Sequence, residues 1–274
     1  AIATSLQAAG KNARKNVRKV ANNQPFELNV AHINDHHSHL EQERMTLKID
    51  GKDVTLDIGG LPRVGQEIKD FRKNNKNTLI LHAGDAVTGT LYYTLFKGIA
   101  DAELMNVINF DAFTLGNHEF DDGNEVLAKF LSALKIPVIS SNVVPDKGSI
   151  LEGKWKPYII KNVGGEKIGI IGMEVVKKTV ESSSPGKDIK FIDEIEAAKK
   201  YVKELQDQGI NKIILLSHAG YEKNVEIAQK VSGIDLIVSG DTHYLLGKEF
   251  EKYGLKIGGD QYPKKITSPS GEPV

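Results

Sequence analysis

From Phe26 onward, short apolar runs alternate with amphipathic stretches, and this alternation restricts the chain to a small set of folds. The runs "FELNVAHI", "TLILHAG", "DAFTLG", "IPVISS", "KIGIIGM", "NKIILLS" and "IDLIVSG" are strand-length. Several are apolar throughout, as strands covered on both faces must be. Between them, "LPRVGQEIKDFRKN", "TGTLYYTLFKGIADAELMNVI", "NEVLAKFLSAL", "IDEIEAAKKYVKELQDQ" and "EKNVEIAQKVS" carry apolar residues at the period of helices packed on a sheet. The β-α-β-α order predicts an α/β fold. Two further segments, "TLKIDGKDVTLDIGG" and "KWKPYIIKNVGGEK", hold the turn formers Asp50-Gly51 and Gly164-Gly165 and are expected to be hairpins decorating it.

Charge and composition narrow the function. Lys plus Arg and Asp plus Glu both number 36, so no net field recruits nucleic acid or an anionic membrane. A small-molecule partner is expected instead. The chain has no cysteine, which excludes thiolate metal sites and cysteine nucleophiles and suits an oxidising compartment. No apolar run approaches the roughly 18 residues of a membrane span, and the opening "AIATSLQAAGKNARKNVRKV" lacks the apolar core of a signal peptide. A periplasmic or secreted protein with its signal already removed is the expectation. Lys11, Arg14, Lys15, Arg18 and Lys19 recur at near-helical spacing, read as a solvated or loosely docked helix in an N-terminal extension covering 1–25.

Ligands of open α/β sheets bind beyond the carboxyl ends of the strands. All eight histidines fall at or just after five of the expected strands: His32, His36, His37 and His39; His82; His118; His218; His243. Asp35, Asp85, Asn117, Asp121 and Asp241 accompany them. Any one of these is more often a core histidine or a helix cap than a ligand. Five such groups at five strand ends point to a cluster of oxygen and nitrogen donors around metal.

The blocks "HINDHHSHLE", "LHAGDAVTGTLYY", "LGNHEFDDG" and "LLSHAGYEKNVEIAQKVSGIDLIVSGDTH" resemble, in this order, those of the calcineurin-like metallophosphoesterases, and among them the bacterial periplasmic 5′-nucleotidases. The resemblance extends to the branch that degrades NAD. It implies a four-layer α-β-β-α sandwich with mixed sheets, two divalent ions (Mn, Zn or Mg) and a nucleotide substrate. Asp35 and His37 would hold one ion, completed by His243. Asp85 would bridge both, and Asn117 and His218 would hold the second. Where much of the family has a histidine, this chain has Asp241, which would take its place on the second ion. His118 would stabilise or protonate the phosphoryl group, oriented by Asp121.

Such a site needs no protein nucleophile, since paired divalent ions activate water and polarise the phosphoryl oxygen. The expected reaction is nucleotide phosphoester hydrolysis, with the pyrophosphate bond of NAD as a further target. The alternatives are a related hydrolase of another phosphoester or a sulfur-linked ester, and an idle metal-binding interaction domain. His32, His36, His39 and His82 are expected behind or beside the ligands, Glu119 to support backbone, and Lys223 to be a solvated helix-start residue. Residues 26–274 are read as one catalytic domain; the resemblance places base recognition in a C-terminal domain not found in this sequence.

Overall fold

A computed structural model describes residues 25–259 and 261–274, so the basic segment at 11–19 lies outside the described residues. The first half of the chain runs β1 (Asn29–Ile33), the hairpin β2 (Glu43–Ile49) and β3 (Lys52–Ile58), α1 (Leu61–Asn74) and β4 (Thr78–His82). It continues through α2 (Leu91–Phe96), α3 (Ile99–Ile108), β5 (Ala112–Thr114), α4 (Gly123–Ala133) and β6 (Val138–Ile139). The second half runs β7 (Val143–Pro145), β8 (Tyr158–Val163), β9 (Glu166–Glu174), α5 (Val176–Ser182) and β10 (Ile189–Phe191). Then come α6 (Glu194–Asp207), β11 (Ile213–His218), α7 (Tyr221–Lys230) and β12 (Leu236–Ser239).

Two four-stranded sheets result, one from each half, in the orders β1-β4-β5-β6 and β12-β11-β9-β8. The first is parallel throughout. Mixed direction is confined to the second, where β8 joins β9 antiparallel through the Gly164-Gly165 turn. The sheets bury one face on each other: Val30, Leu79, Leu81 and Ala112 from the first meet Ile168, Ile170, Ile214 and Leu216 from the second. Their outer faces are covered by helices. Ile68, Met105 and Leu127 of α1, α3 and α4 lie over Ile80 and Phe113, while Ala198, Val202 and Ile227 of α6 and α7 cover Ile171 and Leu215. This is the expected four-layer sandwich. It also explains why these strands read as unbroken apolar runs, since both faces are dry.

The stretch at 88–108 is not one helix. Lys97 and Gly98 both take left-handed backbone (φ 50° and 85°) and divide it into α2 and α3. The short pairing of β7 with β10 and helix α5 carry too little periodicity to be read beforehand; only Thr179 of α5 is buried. Among the described residues, no helix is long and apolar enough to cross a membrane.

Candidate metal centre

The parallel strands β1, β4 and β5 of one sheet and β11 and β12 of the other end at the same edge of the sandwich. The loops that follow bring Asp35, His37, Asp85, His218 and His243 together, in overlapping groups whose ligand atoms lie within 4.8 Å of one another. Asp35 Oδ1 is 3.0 Å from His243 Nε2 and 3.9 Å from both His37 Nε2 and His218 Nε2. Asp85 Oδ2 is 2.9 Å from His218 Nε2 and 3.8 Å from His37 Nε2.

The other ends of these side chains are tied down, which fixes what faces inward. His218 Nδ1–H donates to the Ala83 carbonyl (2.6 Å), and His37 Nδ1–H donates to the Val87 carbonyl (3.2 Å). A carbonyl only accepts, so in the neutral imidazoles the lone pair sits on Nε2, aimed into the cluster. Asp35 Oδ2 accepts from Asn34 Nδ2 and from the Asp241 amide, leaving Oδ1 free. Asp35 Oδ1, Asn117 Oδ1 and His218 Nε2 are all buried without a hydrogen-bond partner. Asp35 Oδ1 and His218 Nε2, crowded together with Asp85 Oδ2, fit a cation, because lone pairs at these separations repel unless positive charge lies between them.

The electrostatics agree. Burial opposes ionisation of Asp85, but His218 and His118 outweigh it and hold the carboxyl at about 2. Burial likewise opposes charge on His218, yet Asp85, Glu174 and Asp35 overcome it and raise its pKa well above the histidine range. Burial lowers the pKa of His37 against the pull of Asp85 and Asp35, keeping a neutral donor.

Backbone strain concentrates here. Asp35, His37, Asp85, Asp241 and His243 all have φ between 45° and 77°, in the left-handed region that non-glycine residues seldom occupy. Two glycines are required by close approach. A Cβ on Gly116 would strike Asp85 and come within 2.8 Å of His218 Cδ2, and one on Gly240 would lie 2.8 Å from His218 Nδ1.

His118 lies at the rim. Its amide N–H donates to Asp85 Oδ1 (2.9 Å), its ring stands edge-on to His37, and its Nδ1 is 2.6 Å from Asp121 Oδ2. That bond to Asp121 raises the pKa of the imidazole. Asp121 is itself held by Ser183 Oγ at 2.9 Å. The geometry also groups His118 with His37 and Asp85, although the sequence reading set it outside the ligands. Glu119 is fully enclosed and accepts from the amides of Asp85, Ala86 and Gly116, supporting backbone as expected. Burial and the nearby Asp85 push its carboxyl up to about 8.

Asp241 does not join the cluster in the way His243 does. Its Oδ1 pairs with Lys178 Nζ at 2.5 Å and stands 4.0 Å from His218 Nε2. Lys178 was not foreseen; it sits on the short α5, where nothing in the sequence marks it. His36 and His82 fall behind the site, joined at 2.8 Å. His39 pairs with Glu43 at the surface, and Lys223 pairs with Glu226 on its own helix. Buried Asp101 was also missed, although its place in the apolar series 101, 105, 108 of α3 was visible.

The calcineurin-like phosphoesterase profile matches residues 28–245, a span that contains every strand just described. The chain belongs to that family. Over 250 residues it is 61% identical to a probable 5′-nucleotidase of Treponema pallidum, covering 91% of this chain and 42% of that protein. It is 59% identical over 249 residues to the NAD 5′-nucleotidase of Haemophilus influenzae, covering 90% of this chain and 41% of that one. The solved structure of the H. influenzae NAD nucleotidase superposes with a TM-score of 0.87 at 58% identity, covering 90% of this chain and 44% of the other. This calcineurin-like phosphoesterase domain thus spans less than half the length of the relatives it matches.

Proposed function

We propose that this chain hydrolyses nucleotide phosphoesters by metal-assisted attack of water, and that the pyrophosphate bond of NAD is a second target. The observation that carries the reading is the convergence of the Asp35, His37, Asp85, His218 and His243 ligand atoms, with the His118–Asp121 pair at their rim. Asp35, His37 and His243 are assigned to one divalent ion, Asp85 to both, and Asn117, His218 and Asp241 to the second. When bound, the ions polarise a phosphoryl oxygen and make a water acidic enough to attack at neutral pH. The His118 amide holds Asp85 Oδ1, while Oδ2 lies 2.9 Å from His218 Nε2 and 3.8 Å from His37 Nε2, where it would serve either ion. His118 donates Nδ1–H to Asp121, so Nε2–H is left to hydrogen-bond the phosphoryl group or protonate the leaving oxygen. Asp121 stabilises the charged ring in that role. The mixed oxygen and nitrogen donors suit Mn or Mg as well as Zn.

Residues 26–274 act as one catalytic domain in this proposal, in a periplasmic or secreted setting that the absence of cysteine favours. The names of the two bacterial relatives support nucleotides and NAD as substrates. The test is hydrolysis of bis(p-nitrophenyl) phosphate, AMP and NAD by chelator-stripped protein, with and without added Mn, Mg or Zn. Metal-dependent release of adenosine or AMP supports the assignment. Hydrolysis of none of the three with any ion would defeat it.

A further inference from the structure

We infer that Asp101 is a positioning residue for the Asp35–His37 ligand loop. It acts through His36 and Ser38, the neighbours of His37 on either side. This inference rests on the metal reading above. Asp101 lies fully buried in the first turn of α3, and among the described residues no lysine or arginine pairs with it. Its Oδ1 accepts from His36 Nε2 at 3.1 Å, and its Oδ2 accepts from Ser38 Oγ at 3.0 Å. One carboxylate therefore grips the loop on both sides of His37.

The loop needs such a grip. Asp35, His37 and Ser38 have φ of 50°, 45° and 55°, so three of four successive residues are held in backbone that relaxes unless its surroundings fix it. Main-chain bonds supply part of the restraint: the amides of Asp35, His37 and Ser38 donate to the carbonyls of Gly84, Asp85 and Ala86. Thr90 Oγ1 also donates to the Ser38 carbonyl. Those bonds fix the loop along the strand ends but do not set its depth against α3, which the Asp101 carboxylate does.

The same contacts order the protons behind the site. Because Asp101 accepts, His36 carries its hydrogen on Nε2, and its Nδ1 accepts from His82 Nε2 at 2.8 Å. His82 closes the chain against Phe110 and Phe113 in the core. Asp101 therefore acts on the ligand loop through two side-chain contacts, and an ion held by Asp35 and His37 and the loop geometry that Asp101 fixes favour one another by linkage.

The test is Mn binding to the chelator-stripped chain, followed by the electron paramagnetic resonance of free Mn and by calorimetry, for Asp101→Asn, Ser38→Ala and Met105→Ala. Met105 is buried one turn further along α3, and its truncation reports packing of that helix alone. Asp101→Asn is expected to weaken Mn binding by about 10- to 100-fold, the range for partners that orient ligands, and Met105→Ala to leave it within about twofold while lowering stability. Equal loss in both variants, or native affinity in folded Asp101→Asn, overturns the inference. If Asp101→Asn does not fold, Ser38→Ala decides: several-fold weaker binding supports the role, and native affinity refutes it. Absence of Mn binding by the parent chain would instead refute the metal reading.

Discussion

Adding one methyl group at Gly116 separates steric from conformational control of this site. Gly116 has φ −119° and ψ 178°, extended backbone that any residue adopts, so alanine meets no torsional penalty there. The new Cβ would instead lie 2.6 Å from the Asp85 amide nitrogen and 2.8 Å from His218 Cδ2, and it would strike the Asp85 carboxylate. Real Cβ contacts are not that short, so Asp85 and His218 must move apart from the position Gly116 now allows. Overpacking of this kind costs about 1–3 kcal/mol of stability, or roughly 2–10 °C in Tm for a domain of this size. The displaced groups are the carboxylate assigned to both ions and a ligand of the second, so Mn affinity should fall by at least about 10-fold. Gly123→Ala supplies the contrast. Its φ is 79° and the nearest neighbour is 4.0 Å away, so it should lose about 1–2 kcal/mol through the backbone and keep its metal. Urea unfolding and Mn titration on both variants decide it. Full Mn affinity in Gly116→Ala would refute the close-approach argument, and equal metal loss in both would show that destabilisation alone empties the site.

Other consequences can be tested in parallel. His118→Ala should retain metal, measured by elemental analysis, and lose about 10²- to 10⁴-fold in turnover, the range for a lost acid or charge-stabilising group. Asp85→Ala should lose metal and activity together, since it is the carboxylate assigned to both ions. Lys178 is half exposed, so its hold on Asp241 is worth about 0.2–1 kcal/mol; Lys178→Met should tighten Mn binding by no more than about fivefold, and the gain should vanish in an Asp241→Ala background. Burial, aided by neighbouring histidines, keeps the His82 pKa well below 6.5, and burial also lowers that of His32. The unfolded chain takes up protons below about pH 6.5 that these two histidines refuse, so their contribution to apo stability declines as pH falls from there, by up to about 1.4 kcal/mol per pH unit per histidine. The buried Glu119 and Glu174 carboxyls, whose pKa values are raised, contribute in the opposite direction. Denaturant titrations of the parent chain and of His82→Phe at pH 7 and pH 5 isolate the histidine part: relative to the parent, the variant should lose less stability, or gain more, on going to pH 5 if it folds.

Layer order and strand ends were legible because the strands of the two main sheets write themselves as apolar runs and each proposed ligand follows such a run. "TLILHAGD" marks both β4 and Asp85 in eight letters. Residues that act across the fold left no comparable trace. Lys178 reaches Asp241 from a helix 63 positions earlier, and Asp101 meets Ser38 across the same number. Spacing along a chain reports neighbours on one element, whereas these pairings exist only after α5 and α3 have docked. The break at Lys97-Gly98 was hidden for a related reason, because the apolar period continues through it while the backbone turns.

The two sheets come from consecutive halves of the chain, and the proposed metal ligands come from both. Synthesis delivers Asp35, His37, Asp85 and Asn117 with the first sheet, well before His218, Asp241 and His243 exist. A nascent chain at that stage holds a partial set of donors on a sheet whose inner face, with Val30, Leu79 and Leu81, is still wet. On the proposed ligand assignment the donor set is complete only once the second sheet has closed over that face, so metal loading is expected to be a late event in maturation.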